Sequence, residues 1–279
     1  MVKIVTDSTS DITPEMARQT GITVVPLWIN FGEKSYLDRV ELEPSEFYRR
    51  LTGDKVFPTT AAPSPLAFAE AYDKLAEETD EVLALVISSK YSATYESAIE
   101  ALELRKQKKC RVEVIDTLTT IGGQGLLALI AAEEARHGAN LEQIKDIIQE
   151  SIPKTHTRVC FDTLKYLHRG GRIGTAQAFM GSILKIHPII GIIDGYTEGV
   201  ARERTREKAL NWLYDFATRF NNIRLLGVEH AAVPDEAEKF AQRLASVFPK
   251  EKIQRFVFGP VVGAHIGPHA IGVAIVEQV

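Results

Sequence analysis

The chain has little of what marks a secreted, membrane-spanning or metal-binding protein. Only two cysteines occur in 279 residues, Cys110 and Cys160, and neither stands in a CxxC or another metal-ligand spacing, so a disulfide framework and a zinc site are both excluded. Each lies at or near the end of an apolar strand-like run, which is the setting of a buried free thiol in a reducing compartment. No apolar stretch reaches the roughly 18 residues of a membrane span, and Met1-Val2-Lys3-Ile4-Val5-Thr6-Asp7 enters a strand-like run with no n-region or h-region of a signal peptide. A cytoplasmic protein without stable membrane insertion is expected. Cationic excess is absent too: a formal net charge of −4 supplies no basic stripe, so nucleic acid is not an expected partner. There is no Walker A loop, no G-x-S-x-G elbow, no HExxH and no internal repeat.

What is present is apolar. A hydrophobic content of 45% in 279 residues fills one or two cores and exceeds the usual span of one domain. Val82 to Ile87 is a near-continuous apolar run, the pattern of a parallel strand covered on both faces. Ser88, Ser89, Ser92, Thr94 and Tyr95 crowd the turn that follows, with Ser92 read as the N-cap of a helix carrying Tyr95, Ala98, Ile99 and Leu102 inward. In open α/β sheets that crevice is where ligands bind, and its free N–H groups favour an anionic head. Ser92 as a cap and Ser92 as a ligand-binding hydroxyl both stay open.

Strands at Val2 to Val5, Ile22 to Phe31, Val82 to Ile87 and Arg111 to Ile115 alternate with helices opened by Thr13-Pro14, Pro44-Ser45 and Ser64-Pro65. Gly122, Gly123 and Gly125 start a long apolar helix that closes at His137-Gly138, and their missing side chains allow a close approach to the sheet or to a bound chain. This pattern predicts an α/β fold: a parallel, doubly wound α/β/α domain over 1–153, then an α/β domain with a mixed, largely antiparallel sheet over 154–279. In the second half a helix is expected over Ala176 to Leu184, a hairpin at Asp194-Gly195, and strands near 253–258, 261–265 and 271–276.

Chemistry-bearing clusters are few. Asp7 and Asp11 lie four apart, but Asp in a turn bonds its own backbone and no third ligand is near. His265 and His269 have helical ligand spacing, yet Gly267-Pro268 between them breaks any ordinary helix. No metal and no cofactor is expected. A Ser92 and His265 dyad for acyl hydrolysis or transfer remains open. Arg169, Arg172, Arg202, Arg204 and Arg206 form a solvated face or a docking surface for an acidic partner.

Five separated motifs, in order and in register, resemble the DegV family of bacterial fatty-acid-binding proteins. They are Thr6 to Asp11, Pro58-Thr59-Thr60-Ala61-Ala62-Pro63-Ser64, Ile87 to Tyr95, Gly170-Gly171-Arg172-Ile173 and Gly263-Ala264-His265-Ile266-Gly267-Pro268. The resemblance implies a long-chain fatty acid of the palmitate or oleate class held between the two domains. Its carboxylate would sit on Thr60, Ser92 and His265, with the acyl chain in an apolar tunnel. Helices around Leu126 to Ile130 and Phe179 to Leu184 are candidate walls, with ordinary core the expected place of most of their side chains. It further implies a non-enzymatic carrier in lipid transport or fatty acid metabolism. Some members present the acid to a separate fatty acid kinase, which makes Arg172 and Arg202 candidate docking residues. The chain departs from the family pattern at Ala61-Ala62, Ala93, Ile266 and His269, where Ser-Gln, Gly, Thr and Gly are usual, so its head site is expected to carry fewer polar groups.

Overall fold

The apolar runs become strands. In the first half these are β1 (Lys3–Asp7), β2 (Thr23–Val25), β3 (Trp28–Phe31), β4 (Lys34–Leu37), β5 (Thr59–Ala61), β6 (Glu81–Val86) and β7 (Arg111–Asp116). The second half supplies β8 (Thr155–Cys160), β9 (His187–Ile193), β10 (Tyr196–Glu203), β11 (Ile223–His230), β12 (Ile253–Val257) and β13 (Ile271–Glu277). The computed structural model describes residues 1–53, 56–180 and 186–279.

The first sheet has the order β2-β1-β6-β7 and is parallel throughout. Successive side chains of a strand point to opposite faces, and the packing follows that alternation. Ile4, Leu83 and Leu85 meet Leu126, Leu127 and Ile144 on one face, whereas Val5, Val82, Ala84 and Val86 meet Phe68, Tyr72 and Ala98 on the other. Helices on both faces make this the doubly wound layer that the sequence predicts. Thr13 and Ser64 cap their helices with a proline at the first turn, as expected.

The second sheet has the order β10-β9-β8-β13-β11-β12, antiparallel except for the parallel pair β11 and β12. Asp194 and Gly195 both take positive φ, as the predicted hairpin requires. One face carries the helices Arg206–Ala217 and Pro234–Leu244. The other is covered by the first half: Phe256, Ala274 and Val276 pack with Leu126 and Leu127. The long helix Ile121–Arg136 therefore lies between the two sheets, and its glycines make that possible. A Cβ on Gly125 would stand 2.5 Å from the Ser10 carbonyl oxygen.

Three expectations change. Strands β3, β4 and β5 form a separate antiparallel sheet in the order β4-β3-β5, and Ile29 of that sheet with nearby Leu27 and Phe47 shares a core with Val159, Phe161 and Val261 of the second half. Residues expected as a strand over 261–265 are a helix, Pro260–Ile266; Val261 and Val262 suggest a strand, but Gly259-Pro260 starts a helix and Gly263 lets it press on Phe47 and Tyr48. The expected helix at 176–184 is a 3-10 turn over Gly174–Phe179, and 181–184 lie outside the described residues.

The Thr6 to Asp11 turn is fully buried, because both halves close over it. Asp11 Oδ1 accepts from Arg39 Nη2 at 2.7 Å and from Gly259 N at 2.8 Å, and Arg39 also donates to the Val257 carbonyl. Asp38 accepts from Val261 N at 3.4 Å. Burial outweighs the nearby guanidinium and pushes Asp11 up to about 6 and Asp38 up to about 7. A carboxyl raised in the folded state contributes stability that is intact below its unfolded value near 3.8 and lost as pH climbs through the folded value. Thermal unfolding followed by circular dichroism is expected to give a midpoint several degrees lower at pH 8 than at pH 5.5, and Asp38→Asn should flatten that slope. Removing one partner of the buried pair, as in Arg39→Met, should cost about 3–5 kcal/mol.

Candidate functional site

Between the two sheets lies a cavity of about 740 Å³, solvent at its mouth included. Its wall is aliphatic: Leu27, Ile87, Val159, Ile190, Val261 and Ile266 are among the side chains that line it, with Phe161 as an aromatic member. Polar groups are confined to a few positions, among them Thr60, Ser92, His265 and Arg172. The three residues expected to form a head site thus converge on one cavity from three separate elements.

Each is placed by local sequence. Thr60 is the middle residue of β5, stiffened by the prolines at 58 and 63, and pairs across to Ile29 of β3. His265 lies on the last turn of the 260–266 helix, and its Nε2 is 2.9 Å from Thr60 Oγ1. Its Nδ1 is buried with no partner. Burial pushes the imidazole down to about 4, assisted by the positive charge of Arg172, so the ring is neutral at physiological pH. Ser92 corrects the sequence reading. The helix is Thr94–Leu104 with Ala93 at its cap and no side-chain cap bond. Ser92 Oγ instead accepts from Thr94 N at 3.3 Å and lies 2.8 Å from Thr94 Oγ1. Of the side chains expected inward on that helix, Ile99 is 38% exposed.

The turn carrying Ser92 is tied to the second half. Ser88 Oγ donates to the Gly195 carbonyl at 3.2 Å, and Thr197 Oγ1 lies 3.0 Å from the Tyr91 hydroxyl. Arg172 donates through Nε and Nη2 to the Tyr91 carbonyl at 3.2 and 3.1 Å, and through Nη1 to Gly170. Sequence reasoning places Arg172 on an outer docking face; it is exposed, yet it also lines the cavity. Arg202 is exposed on β10 with its guanidinium 4.9 Å from the Phe179 ring centroid.

The expected tunnel walls differ. Leu126, Leu127 and Ile130 are fully buried in the core beside the first sheet rather than in the cavity lining. From that helix the cavity receives Ile121, a β-branched residue held at φ 52°, a conformation that tertiary packing must impose. Phe179 packs at the edge of the core beneath the cavity, and Ile183 and Leu184 lie outside the described residues. Val159 of β8 and Ile190 and Ile192 of β9 supply wall instead, and the continuous apolar character of β9 was the available signal. Among the described residues no cluster of His, Cys, Asp or Glu fits a metal ion, and no helix is long and apolar enough to cross a membrane.

Comparison with known proteins shows the family and the fold. The family model described as "Uncharacterised protein, DegV family" matches residues 1–278. A DegV domain-containing protein of Caldanaerobacter subterraneus subsp. tengcongensis is 37% identical over 281 residues, covering 99% of each chain. Among solved structures, a DegV family protein from Thermus thermophilus described by its fatty acid binding superposes with a TM-score of 0.90 at 33% identity over 99% of both chains. A stearic acid-binding protein from Eubacterium ventriosum superposes at 0.91 with 27% identity, covering 99% of this chain and 98% of that one. The chain belongs to the DegV family.

Proposed function

We propose that the cavity binds a long-chain fatty acid, with the carboxylate on Thr60, Ser92 and His265 and the acyl chain along the aliphatic wall, between the domains 1–153 and 154–279. The observation that carries this reading is the cavity itself: a largely apolar lining on which the hydroxyls of Thr60 and Ser92 and the buried imidazole of His265 converge. A carboxylate leaves water only where donors replace its hydration, and these groups supply them. Burial of a sixteen-carbon chain, at about 0.8 kcal/mol per CH₂, contributes on the order of 10 kcal/mol of gross transfer energy. Stearic acid in the Eubacterium ventriosum protein is a ligand of this class.

The same geometry argues against an acyl hydrolase. A serine hydrolase needs its histidine basic near neutral pH, bonded to the serine and oriented through the other ring nitrogen. His265 bonds Thr60 rather than Ser92, its Nδ1 has no orienting partner, and burial depresses its basicity. A carrier that delivers the acid to a separate kinase accounts for a binding site without a base, and exposed Arg202 and Arg172 then serve as docking cations.

Mass spectrometry of an organic extract, beside a native mass spectrum, is expected to show a stoichiometric C14 to C18 fatty acid; an empty protein that also refuses oleate and palmitate overturns the reading. Ser92→Ala should weaken retention about 10- to 100-fold, the range for a hydrogen bond to a charged group, with no ester turnover in the parent or the variant. For the kinase role, Arg202→Glu should leave oleate binding intact while slowing kinase-dependent acyl-phosphate formation. Unchanged turnover removes Arg202 from the docking surface.

A further inference from the structure

Each head-site hydroxyl has a second polar group behind it, and that group decides where the hydroxyl proton points. Thr60 Oγ1 pairs with His265 Nε2 at 2.9 Å. The far side of the ring is closed: Nδ1 is buried without a partner, and a Cβ on Gly170 would stand only 2.1 Å from it. Either tautomer leaves Nδ1 without a partner, and a buried N–H is the costlier group to orphan, which favours the neutral ring with its proton on Nε2, donated to Thr60. Burial, which pushes the imidazole down to about 4, keeps the ring in that neutral form. Having accepted, Thr60 has its own proton free to turn into the cavity.

Ser92 is arranged in parallel. Its Oγ accepts from Thr94 N at 3.3 Å and lies 2.8 Å from Thr94 Oγ1. Thr94 is fully buried, and its hydroxyl has no other acceptor among the described residues. Its O–H therefore donates to Ser92, which fills the acceptor side of Ser92 and leaves the Ser92 proton to give.

We propose that the head site is a donors-only pair toward its ligand, in which His265 and Thr94 donate to Thr60 and Ser92 and turn both hydroxyl protons into the cavity, so that the site selects an ionised carboxylate over an alcohol of equal chain length. The proposal rests on the fatty-acid reading of the cavity. A carboxylate only accepts hydrogen bonds and makes charge-assisted ones with both protons, His265 acting on it through Thr60, whereas a fatty alcohol offers one neutral oxygen and has a proton of its own to place. Gly170 and Thr94 are then positioning residues: Gly170 fixes the tautomer of His265, and Thr94 turns Ser92. Neither touches the ligand.

The test measures binding of oleate and of oleyl alcohol to delipidated full-length protein at pH 7.5, in the parent, in Thr94→Val and in Thr94→Ser. Side-chain ¹⁵N spectra of His265, assigned with His265→Gln, read the tautomer in the empty protein. Oleate is expected to bind about tenfold or more tighter than the alcohol, from the strength of charge-assisted over neutral hydrogen bonds. Thr94→Val should shrink that ratio several-fold by freeing the acceptor side of Ser92, and Thr94→Ser should restore it. The spectrum should show a neutral ring protonated at Nε2. Equal affinity for acid and alcohol, or a proton on Nδ1, overturns the donors-only site while the fatty-acid reading stands. Binding of neither ligand overturns both.

Discussion

The carboxylate of Asp7 sits where three segments of the chain meet, and the cavity depends on it. It lies at the end of β1, fully buried, and each oxygen is used. Oδ1 accepts from Thr9 N at 2.9 Å and from Thr9 Oγ1 at 2.5 Å, while Oδ2 accepts from Ile87 N and from Gln124 Nε2, both at 2.8 Å. Those bonds stop β6 at the residue where the hydroxyl-bearing turn begins, and they fix the long 121–136 helix against the first sheet. Burial raises this carboxyl while the hydrogen bonds pull it back down, which is the balance expected of a buried acid whose partners are all donors. Thr9 and Ile87, the two residues it grips through their backbone N–H groups, both line the cavity. A binding site between two sheets needs edges that do not drift, and one buried acid supplies them to three elements together.

The second constraint is that the two halves share their cores. The second sheet covers one face with its own helices and leaves the other to the first half, so the 121–136 helix and the Leu27 to Leu51 segment serve both halves. Polar contacts follow the same seam: Asp11 and Arg39 reach Gly259 and Val257, Glu229 accepts from Gly122 N at 2.9 Å, and Arg172 reaches Tyr91. A cavity on that seam has rigid walls because each wall belongs to a packed core.

Much of this was legible in the sequence where local rules decide. Alternating strands and helices, proline-opened helices and the Asp194-Gly195 turn are local signals, and the structure follows them. Thr60, Ser92 and His265 could be grouped only through their motifs, since 205 residues separate Thr60 from His265 and no periodicity spans that distance. The failures are equally physical. Val261-Val262 suggested a strand because β-branched residues favour one, but a helix start two residues earlier overrode that propensity. Leu126 to Ile130 could be tunnel wall or core, with core expected for most of them, and the structure puts them in the core; apolarity alone does not distinguish the two. Arg172 looked like a surface charge, and nothing in its neighbours' identities announces that its guanidinium reaches the Tyr91 carbonyl 81 residues away.

The charge arrangement bears on why such a site would release what it holds. A buried arginine facing the head would bind a carboxylate by a bidentate ion pair, and breaking that pair inside a low-dielectric cavity is slow and costly. Here the guanidinium of Arg172 is spent on the carbonyls of Tyr91 and Gly170, so the cation next to the cavity closes the seam instead of pairing with the ligand. Its positive field favours an anion in the cavity and disfavours a charged His265, yet the donors left for a carboxylate are uncharged hydroxyls, so each bond has one ionised partner rather than two. On the proposed reading, affinity resides in the apolar wall and selectivity in the hydroxyl protons. The residue that carries the charge is also a tie between the halves, so one side chain sets the field in the cavity and closes the seam beside it.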